Sequence, residues 1–394
     1  MCLEEAPSPT EREVGAVQAR MEIEFVATCL FGLEHFLGEE IDRLGYRRTE
    51  TIDGRVTFVG DERAIARCNI WLRCAERLYI KMGSFRARTF GELFEGTKAL
   101  EWERFIGRED AFPVKGHSVK SKLFSIPDCQ SIVKKAVAQR LDNEYGMCWF
   151  PETKTKYQLE FFILKDVATL MIDTSGTPLH KRGYRAVAGA APLRETLAAA
   201  LALNSRPREN VLLWDPFCGS GTIAIEAAMI MKNQAPGLFR RFAAEEFEVC
   251  PRELWAEARE EARSMIRPTA FEAFASDIDE SMVALAAENA ERAGVSEIVR
   301  TFAADARTIR TGGRRGTIVC NPPYGERMGS MAEIEQLYTQ IGRHFQTLAP
   351  WQVYVLTSYE KFERLYGKRA DKVRKLYNGM IPCNLYQYFK FDKQ

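Results

Sequence analysis

The second half of the chain alternates short apolar stretches with helical segments, and this alternation constrains the fold more than any other feature. Strands that alternate with helices form a doubly wound, mostly parallel sheet. We therefore predict a Rossmann-like α/β domain over residues 191–394, with its ligand site at the carboxyl ends of the strands. The stretches with the composition of buried strands are 211–214, 271–276, 298–302, 317–320 and 353–357.

The first half of the chain orders its elements differently and predicts smaller α+β units. Residues 21–30, 55–59 and 78–83 have the pattern of strands, and residues 34–44 and 62–74 carry apolar residues at helical spacing. A chain of 394 residues exceeds one ordinary core, so two or three domains are expected. The predicted organisation is a flexible tail (1–20), a ferredoxin-like unit (21–65), a second α+β unit (66–174), a linker (175–190) and the α/β domain (191–394).

Composition excludes several classes of protein. A hydrophobic fraction of 46% and a charged fraction of 28% are typical of a globular protein, and no apolar run has the length of a membrane span. Ten cysteines without CxxC pairing and only four histidines predict a cytoplasmic protein with reduced thiols and no metal centre. The net charge of +1 says nothing about nucleic acid. Residues 111–140 and 361–394 are locally basic, which indicates either phosphate contacts or solvated helix faces.

A glycine-containing loop between the first strand of the α/β domain and its helix predicts the cofactor. The loop reads Asp215-Pro216-Phe217-Cys218-Gly219-Ser220-Gly221-Thr222 and lacks both the three-glycine dinucleotide pattern and the GK[ST] of a nucleoside triphosphate site. An acidic residue opens the loop, and its carboxylate could hold the ammonium of a methionine moiety. This favours S-adenosylmethionine over NAD or ATP.

Two further carboxylates follow the next two strands. Asp277 could accept both hydroxyls of a ribose, and Asp305 could accept the amino group of an adenine. Either residue alone would more often cap a helix. Because each lies one strand further along the chain, a shared cofactor site explains them better together.

The segment Asn321-Pro322-Pro323-Tyr324-Gly325 predicts the chemistry of the second substrate. Proline lacks an N–H and has a fixed φ, so two prolines make a rigid loop. The Asn321 side chain and the Pro322 carbonyl can both accept from one exocyclic amine, and Tyr324 offers a ring on which a base can stack. The loop therefore predicts methylation of an amino nitrogen on a nucleobase.

With these residues in view, the chain resembles the THUMP-domain class I methyltransferases that form N2-methylguanosine in RNA, over about residues 21–394. The bacterial group that acts on 23S ribosomal RNA looks closest, with tRNA-modifying members nearby. The resemblance implies a Rossmann-like class I methyltransferase domain preceded by a ferredoxin-like domain and a THUMP RNA-binding domain. It rests on His180-Lys181-Arg182-Gly183-Tyr184-Arg185, Ala191-Pro192-Leu193-Arg194-Glu195-Thr196-Leu197-Ala198, the loop at Asp215, the loop at Asn321 and Leu376-Tyr377-Asn378-Gly379.

The resemblance also implies roles for individual residues. The residues implied in cofactor binding are Leu193, Arg194 and Thr196 on one helix, Asp215, Phe217, Cys218, Gly219, Gly221 and Thr222 in the loop, and Asp277, Ile278, Asp305 and Ala306. Those implied in RNA binding are Lys115, Lys120 and Lys122 in the THUMP unit, and Lys181, Arg182 and Arg185, which alternatively lie between domains. The catalytic set is Asn321, Pro322, Pro323 and Tyr324.

Several alternatives stay open at this point. An adenine-N6 DNA methyltransferase also carries an NPPY loop, and an RNA-binding protein with a degenerate methylase fold would keep the domain order. A THUMP-containing tRNA thiolation enzyme is disfavoured because its Ser-Gly-Gly-x-Asp-Ser type loop is missing. The sequence leaves open the target nucleotide, ribosomal versus transfer RNA, a separate guanine-N7 methylating partner, and the oligomeric state, for which a monomer is favoured.

Overall fold

The computed structural model describes residues 21–185, 193–324 and 330–391 and contains two seven-stranded sheets, each covered by helices. The first sheet contains β1 (Ile23–Thr28), β2 (Arg47–Ile52), β3 (Arg55–Gly60), β4 (Arg77–Arg86), β5 (Val114–Val119), β6 (Leu159–Leu164) and β7 (Val167–Asp173). Its helices are α1 (Glu34–Arg43), α2 (Glu62–Trp71), α3 (Phe90–Lys98) and α4 (Ile126–Tyr145), with a short 3₁₀ turn at Trp102–Arg104.

The first sheet runs without a break through both N-terminal units, in the order β2-β3-β1-β4-β7-β6-β5. Strand β4 joins the units because it pairs with β1 on one side and with β7 on the other, both antiparallel. The predicted boundary at residue 65 is therefore wrong, since it falls inside α2 and would cut β4 from the ferredoxin-like unit that it completes. Strand β2 has no buried residue, so it shows no apolar periodicity and was not predicted.

The second sheet is the predicted doubly wound sheet, which confirms the fold class. It contains β8 (Leu212–Asp215), β9 (Ala273–Asp277), β10 (Val299–Ala303), β11 (Gly316–Cys320), β12 (Gln352–Thr357), β13 (Lys372–Asn378) and β14 (Ile381–Tyr388). Its helices are α5 (Glu195–Ser205), α6 (Thr222–Met231), α7 (Arg252–Ser264), α8 (Glu280–Arg292), α9 (Met331–Thr347) and α10 (Phe362–Tyr366), with a 3₁₀ turn at Ala243–Glu246.

The order of the second sheet, β10-β9-β8-β11-β12-β14-β13, fixes where a ligand can bind. Strands β8 to β12 are parallel, and β14 runs antiparallel to β12. The chain moves outward from β8 in one direction through β9 and β10, and then in the other through β11 and β12. The strand order reverses between β8 and β11, and ligands of such sheets bind at the carboxyl side of that point.

A buried carboxylate joins the N-terminal units to the second domain. Glu226 lies on α6 and is fully buried. Its carboxylate lies 3.6 Å from Arg73 Nη1 and 3.4 Å from Arg182 Nε, and it accepts a hydrogen bond from the Tyr184 hydroxyl at 3.3 Å. Arg182 also donates to the carbonyl oxygens of Leu179 and Arg73. Of the two alternatives given for Arg182, RNA contact is wrong, because a buried guanidinium cannot reach a phosphate, and the position between domains agrees with the structure.

Within residues 21–185, 193–324 and 330–391, no helix combines the length and the apolar character required to cross a bilayer.

Replacement of Glu226 by glutamine should destabilise the protein strongly. The change leaves two buried guanidinium groups without their acid, and the loss of one partner of a buried pair costs about 3–5 kcal/mol. We expect the free energy of unfolding, measured by urea titration, to fall by roughly that amount. The control is Glu288→Gln, whose exposed pair with Arg292 should contribute about 1 kcal/mol or less. Equal urea midpoints for the two variants would contradict this assignment.

Candidate active site

A cavity of 870 Å³ opens at the carboxyl ends of β8, β9 and β11. The loops after β8, β9 and β10 form its floor, and the residues after β11 and one face of α9 form its walls. Its volume lies within the range of small-molecule sites, and its lining is more apolar than polar. The cavity thus occupies the position that the sheet order predicts.

Asp215 ends β8 and lies at the bottom of the cavity, where only 1% of its surface is exposed. Burial raises the pKa of its carboxyl to about 8, with the Phe217 N–H opposing the shift and the nearby Asp277 charge adding to it. In the protein without a ligand, Asp215 therefore holds a proton at neutral pH. A cationic group in the cavity would favour the carboxylate, so the side chain suits an ammonium ligand.

The two glycines of the following loop have different structural roles. Gly219 has a φ of +48°, and a Cβ there would meet no atom within 4 Å, so the backbone presents an open surface to the cavity. Its N–H donates to Asp277 Oδ2 at 2.9 Å. Gly221 has a φ of +81° and caps α6, where a Cβ would come within 3.0 Å of the Ala286 Cβ. Gly221 therefore serves packing, while Gly219 lines the site.

Asp277 ends β9 and is not a helix cap. The cap of α8 is Asp279, whose side chain accepts from the Ser281 N–H at 2.8 Å. Asp277 Oδ1 accepts from the Asp279 N–H at 3.2 Å, so both of its oxygens are oriented by backbone donors at the edge of the cavity. Beside it, the Ile278 side chain is 70% exposed and offers an apolar face to a ligand.

Asp305 follows β10 and is already engaged by a neighbour. Arg307 Nε donates to both of its oxygens, at 2.8 and 2.9 Å, and the Arg307 N–H donates at 2.9 Å. The hydrogen bond from the Arg307 side chain is the main reason that the pKa of Asp305 is lowered. Asp305 and the buried Ala306 both line the cavity, but contact with an adenine amino group stays a prediction.

The helix residues predicted to flank the cofactor divide into two groups. Leu193 lines the cavity, whereas Arg194 and Thr196 do not. Arg194 Nη1 and Thr196 Oγ1 instead donate to Glu76, just before β4, at 2.9 and 2.6 Å. The His180 ring contacts the same carboxylate at 2.8 Å. The predicted cofactor contacts of Arg194 and Thr196 are thus corrected to contacts between domains.

Arg185 lies at the cavity that also contains Asp215, and not on an exposed surface. It lines the cavity and donates to Thr222 Oγ1 at 2.7 Å and to the Leu193 carbonyl oxygen. Its Nε lies 3.4 Å from Glu195 Oε1, without hydrogen-bond geometry. The predicted RNA contact of Arg185 is therefore wrong, because its guanidinium is half-buried beside the start of α6.

The remaining predicted residues of the loop and of the RNA set are placed as follows. Phe217, Cys218 and Thr222 line the cavity, and burial strongly raises the pKa of the Cys218 thiol. The exposed residues among the predicted RNA contacts are Lys115, Lys120, Lys122 and Lys181. Residues 191 and 192 of the PLRETLA stretch and Gly325 lie outside the described residues.

The segment after β11 presents an unpartnered acceptor to the cavity. Asn321 and Pro323 line the cavity, and Asn321 Oδ1 is buried and accepts no hydrogen bond from the residues that the structure describes. The Pro323 carbonyl accepts from the Tyr338 hydroxyl at 2.9 Å, and that hydroxyl also contacts Thr357 Oγ1 at 2.9 Å. Helix α9 and strand β12 thus contact the segment at Pro323.

Tyr324 differs from its prediction as an open stacking face. Its ring is buried, with 4% exposure, and it does not line the cavity. The hydroxyl accepts from Asn378 Nδ2 at 3.0 Å, at the end of β13. The ring therefore connects the loop to the C-terminal hairpin, and a base could stack on it only after the ring is uncovered.

Helix α9 contributes residues that the sequence analysis missed. Glu333, Gln336, Leu337 and Gln340 form one face of this helix along the cavity. They follow helical spacing but match no short motif. The helical spacing of these residues after the NPPY segment was the one sequence signal that could have indicated this face of α9.

The residues that line the cavity are chemically compatible with S-adenosylmethionine. The buried acid Asp215, the oriented acceptors of Asp277, the guanidinium of Arg185 and the apolar Ile278 match an ammonium, a ribose, a carboxylate and an adenine in turn. Across the described ranges, no three His, Cys, Asp or Glu side chains are grouped as metal ligands would be.

Three family models match successive parts of the chain. A ferredoxin-like domain model, described as that of RlmL, matches residues 24–79, and a THUMP domain model matches residues 87–173. A model described as an RMKL-like methyltransferase domain matches residues 182–387. The first model ends at residue 79, inside β4, which pairs with strands of both N-terminal units.

Curated relatives cover most of the chain. It is 47% identical to the putative RNA methyltransferase YpsC of Bacillus subtilis (strain 168), over 92% of this chain and 95% of that protein. It is 33% identical to the ribosomal RNA large subunit methyltransferase K/L of Legionella pneumophila (strain Lens), over 91% of this chain. The match spans 52% of the Legionella protein, so the chain corresponds to about half of it.

Solved structures share the whole fold. A possible methylase from Clostridium difficile 630 superposes with a TM-score of 0.91 at 44% identity, covering 95% of this chain and 100% of that one. A predicted N6-adenine-specific DNA methylase from Listeria monocytogenes gives 0.88 at 45% identity, with coverage of 94% and 97%. SMU.472, a putative methyltransferase complexed with SAH, gives 0.88 at 39% identity, with coverage of 95% and 99%.

Replacement of Asp215 by asparagine should change how stability depends on pH. The folded protein holds the Asp215 proton up to about pH 8, whereas the unfolded chain releases it near 3.8. The folded state thus binds more protons between these values, so its free energy of unfolding falls as pH rises through this window. Asparagine does not titrate, so the variant should gain stability relative to wild type toward pH 8.5 in urea titrations at pH 5, 7 and 8.5. Glu280→Gln, an exposed change on α8, should follow wild type, and an unchanged pH dependence in Asp215→Asn would refute the raised pKa.

Replacement of Asp277 by asparagine should weaken the binding of S-adenosylmethionine. A hydrogen bond to a charged group contributes about 1.5–3 kcal/mol, which corresponds to roughly tenfold to hundredfold in affinity. Isothermal titration calorimetry measures this loss, with Glu280→Gln as the matched control. An affinity equal to that of the control would remove Asp277 from the site.

Proposed function

We propose that this chain, which belongs to the family of RMKL-like methyltransferases with RlmL-type ferredoxin-like and THUMP domains, methylates a guanosine in structured RNA. The methyl group comes from S-adenosylmethionine and goes to the exocyclic N2 amine, with 23S ribosomal RNA as the favoured substrate. The proposal also includes a cytoplasmic location and no requirement for a metal. The assignment of the chain as an RNA methyltransferase, without the target nitrogen or the particular RNA, rests on the family and the domain order.

The unpartnered Oδ1 of Asn321 carries this proposal. A buried acceptor without a donor is unfavourable by about 1–3 kcal/mol, so a substrate that donates an N–H to it would remove this penalty on binding. The Pro322 carbonyl, next along the chain, is the predicted acceptor for the second hydrogen of the same amine. Pro322 itself is buried and does not line the cavity, so the carbonyl would have to become accessible when the substrate binds; two acceptors would then suit an –NH₂ group better than a ring nitrogen or a hydroxyl.

Four groups of this chain hold the cofactor under the proposal. Asp215 receives the ammonium, Arg185 beside Thr222 receives the carboxylate, and Asp277 receives the ribose hydroxyls. Ile278 gives an apolar face to the adenine. When bound, S-adenosylmethionine supplies an electrophilic methyl group on sulfur, and the complex of a similar protein with SAH supports this choice.

The protein contributes mainly orientation to the reaction. An amine conjugated to a purine is a weak nucleophile, so its position must supply much of the acceleration. Asn321 and the Pro322 carbonyl fix the plane of the amine. The hydrogen bond from the Tyr338 hydroxyl to the Pro323 carbonyl restrains the loop. The nitrogen–carbon bond forms as the sulfur–carbon bond breaks. The nitrogen then carries a positive charge, and its acidic proton leaves to water or by way of Asn321.

RNA is the favoured polymer because of the domains that precede the active site. The exposed Lys115, Lys120 and Lys122 lie on β5 and the turn after it, and Phe124 in the same stretch is 82% exposed. Cations beside an exposed aromatic ring suit a phosphate backbone with unstacked bases. The target base must leave its stack, which costs a few kcal/mol in a helix and less in a loop.

Two alternatives follow from specific observations. A guanosine of transfer RNA would present the same amine to the same acceptors. The amine of adenine would also fit Asn321, and the Listeria relative is titled as an N6-adenine-specific DNA methylase. The THUMP match argues for RNA over DNA, and the family resemblance argues for guanine over adenine.

A deletion strain complemented with wild-type or Asn321→Ala protein tests the function. Mass spectrometry of nucleosides from 23S RNA should show N2-methylguanosine missing at one site in the deletion strain and restored by the wild type. The Asn321→Ala protein should not restore it, although it binds S-adenosylmethionine with wild-type affinity by calorimetry. Glu280→Gln should restore it fully.

Other outcomes of the same experiment separate the alternatives. Loss of the nucleoside from transfer RNA would move the substrate. Loss of N6-methyladenine from DNA, with RNA unchanged, would overturn the proposal.

A further inference from the structure

A second cavity, of 750 Å³, lies at the other edge of the methyltransferase sheet. It opens at the amino ends of β11 and β12, near Thr317 and Gln352, and α1 of the ferredoxin-like unit closes one side of it. Strands β13 and β14 and the segment after α5 complete the wall. The cavity therefore exists only where the two domains meet.

The two cavities are separate. They share no lining residue within the described ranges. A strand rises about 3.3 Å per residue, so the five residues of β11 hold the two edges roughly 16 Å apart. A ligand in the second cavity cannot touch the reacting atoms at Asn321.

The second cavity is strongly cationic. Its acidic lining residue, Glu39, lies 3.2 Å from the His35 ring. Asp371, which precedes the lining residue Lys372 in the chain, accepts the N–H groups of Phe389 and Lys390 with its Oδ2, at 2.6 and 2.8 Å. No ion pair is found for the five cations that line the cavity, in the part of the chain that the structure describes. These cations are Arg206, Arg208, Arg315, Lys372 and Arg374.

Buried donors in the wall also lack acceptors. Gln387 is 4% exposed and lines the cavity, and its Nε2 has no hydrogen-bond partner among the described residues. Arg374 Nε is also buried and has no hydrogen-bond partner among the described residues. Its guanidinium lies 5.9 Å from the centroid of the Phe36 ring. Unpaired buried donors are unfavourable, and an anion with several oxygens would satisfy both.

We propose that this second cavity binds phosphate groups of the RNA substrate, at a site on the opposite edge of the sheet from the reaction. Guanidinium forks match the oxygens of a phosphate, and four of the five cations are arginines. The half-buried Phe389 and Phe391 beside them suit a nucleotide better than an isolated anion. The inference rests on RNA being the substrate. A free polyphosphate has the same chemistry and is the competing source.

The test removes two exposed cations without touching buried groups. Arg208→Gln with Arg315→Gln is compared with Arg47→Gln and Arg300→Gln, which remove the same charge from the exposed faces of β2 and β10. Fluorescence anisotropy with a fluorescein-labelled RNA hairpin, over a series of KCl concentrations, gives the salt dependence of binding. Each lost phosphate contact lowers the slope of log K against log[KCl] by about one. We expect a fall of about two in the cavity variant and none in the control.

A second arm separates the source of the phosphate. Inorganic tripolyphosphate is titrated into the same proteins by calorimetry. A lower RNA slope in the cavity variant supports the proposal. An RNA slope equal to that of the control overturns it, and if tripolyphosphate binding is lost at the same time, the site belongs to a free anion.

The proposed function is judged separately. Calorimetry with S-adenosylmethionine should give the same affinity for wild type, cavity variant and control. The hairpin measurement needs no methyl transfer, so a cavity effect on RNA binding stands even if nucleoside analysis detects no methylated guanosine. In that case the assigned reaction fails while the phosphate site remains.

Discussion

The buried carboxylate of Glu226 is the interaction on which the arrangement of the two domains depends. It lies one turn into α6, the helix that follows the loop at Asp215, and it contacts the guanidinium groups of Arg73 in the N-terminal units and of Arg182 in the linker. A buried ion pair adds little net stability. Removal of one partner is costly, because the remaining charge stays buried without a counterion. The loop at Asp215, which precedes α6, is therefore positioned in part by contacts with the N-terminal units. A second contact, from Arg194 and Thr196 to Glu76, reinforces the same junction.

The junction also explains why motif residues turn out to have structural roles. The segments HKRGYR and PLRETLA contain charged residues that suggest RNA contacts or cofactor contacts. In the structure Arg182 and Arg194 bind acids across the junction, and Arg185 alone of these three lines the cofactor cavity. A strongly marked sequence segment can thus reflect the need to seat one domain on another as much as the need to bind a ligand.

The sequence predicted the parts of the fold that have regular periodicity and the site residues that end strands. Asp215, Asp277 and Asn321 all lie in one cavity because parallel strands bring their carboxyl ends together. The sequence analysis did not predict β2, β13 or β14. The residues of β2 and β13 are largely exposed or charged and carry no alternating apolar signal. The sequence also could not foresee that Arg307 engages Asp305 or that Tyr324 is covered, because both depend on which side chains meet in space.

The continuous first sheet has a mechanical consequence. Because β4 forms backbone hydrogen bonds with both β1 and β7, the ferredoxin-like and THUMP units cannot turn against each other without breaking a strand pair. Two of the three domains therefore form a single rigid arm, which is joined to the third domain through Glu226 and Glu76. Because the arm is rigid, the fold fixes the distance between the exposed Lys115 on β5 and Asn321 at the cavity.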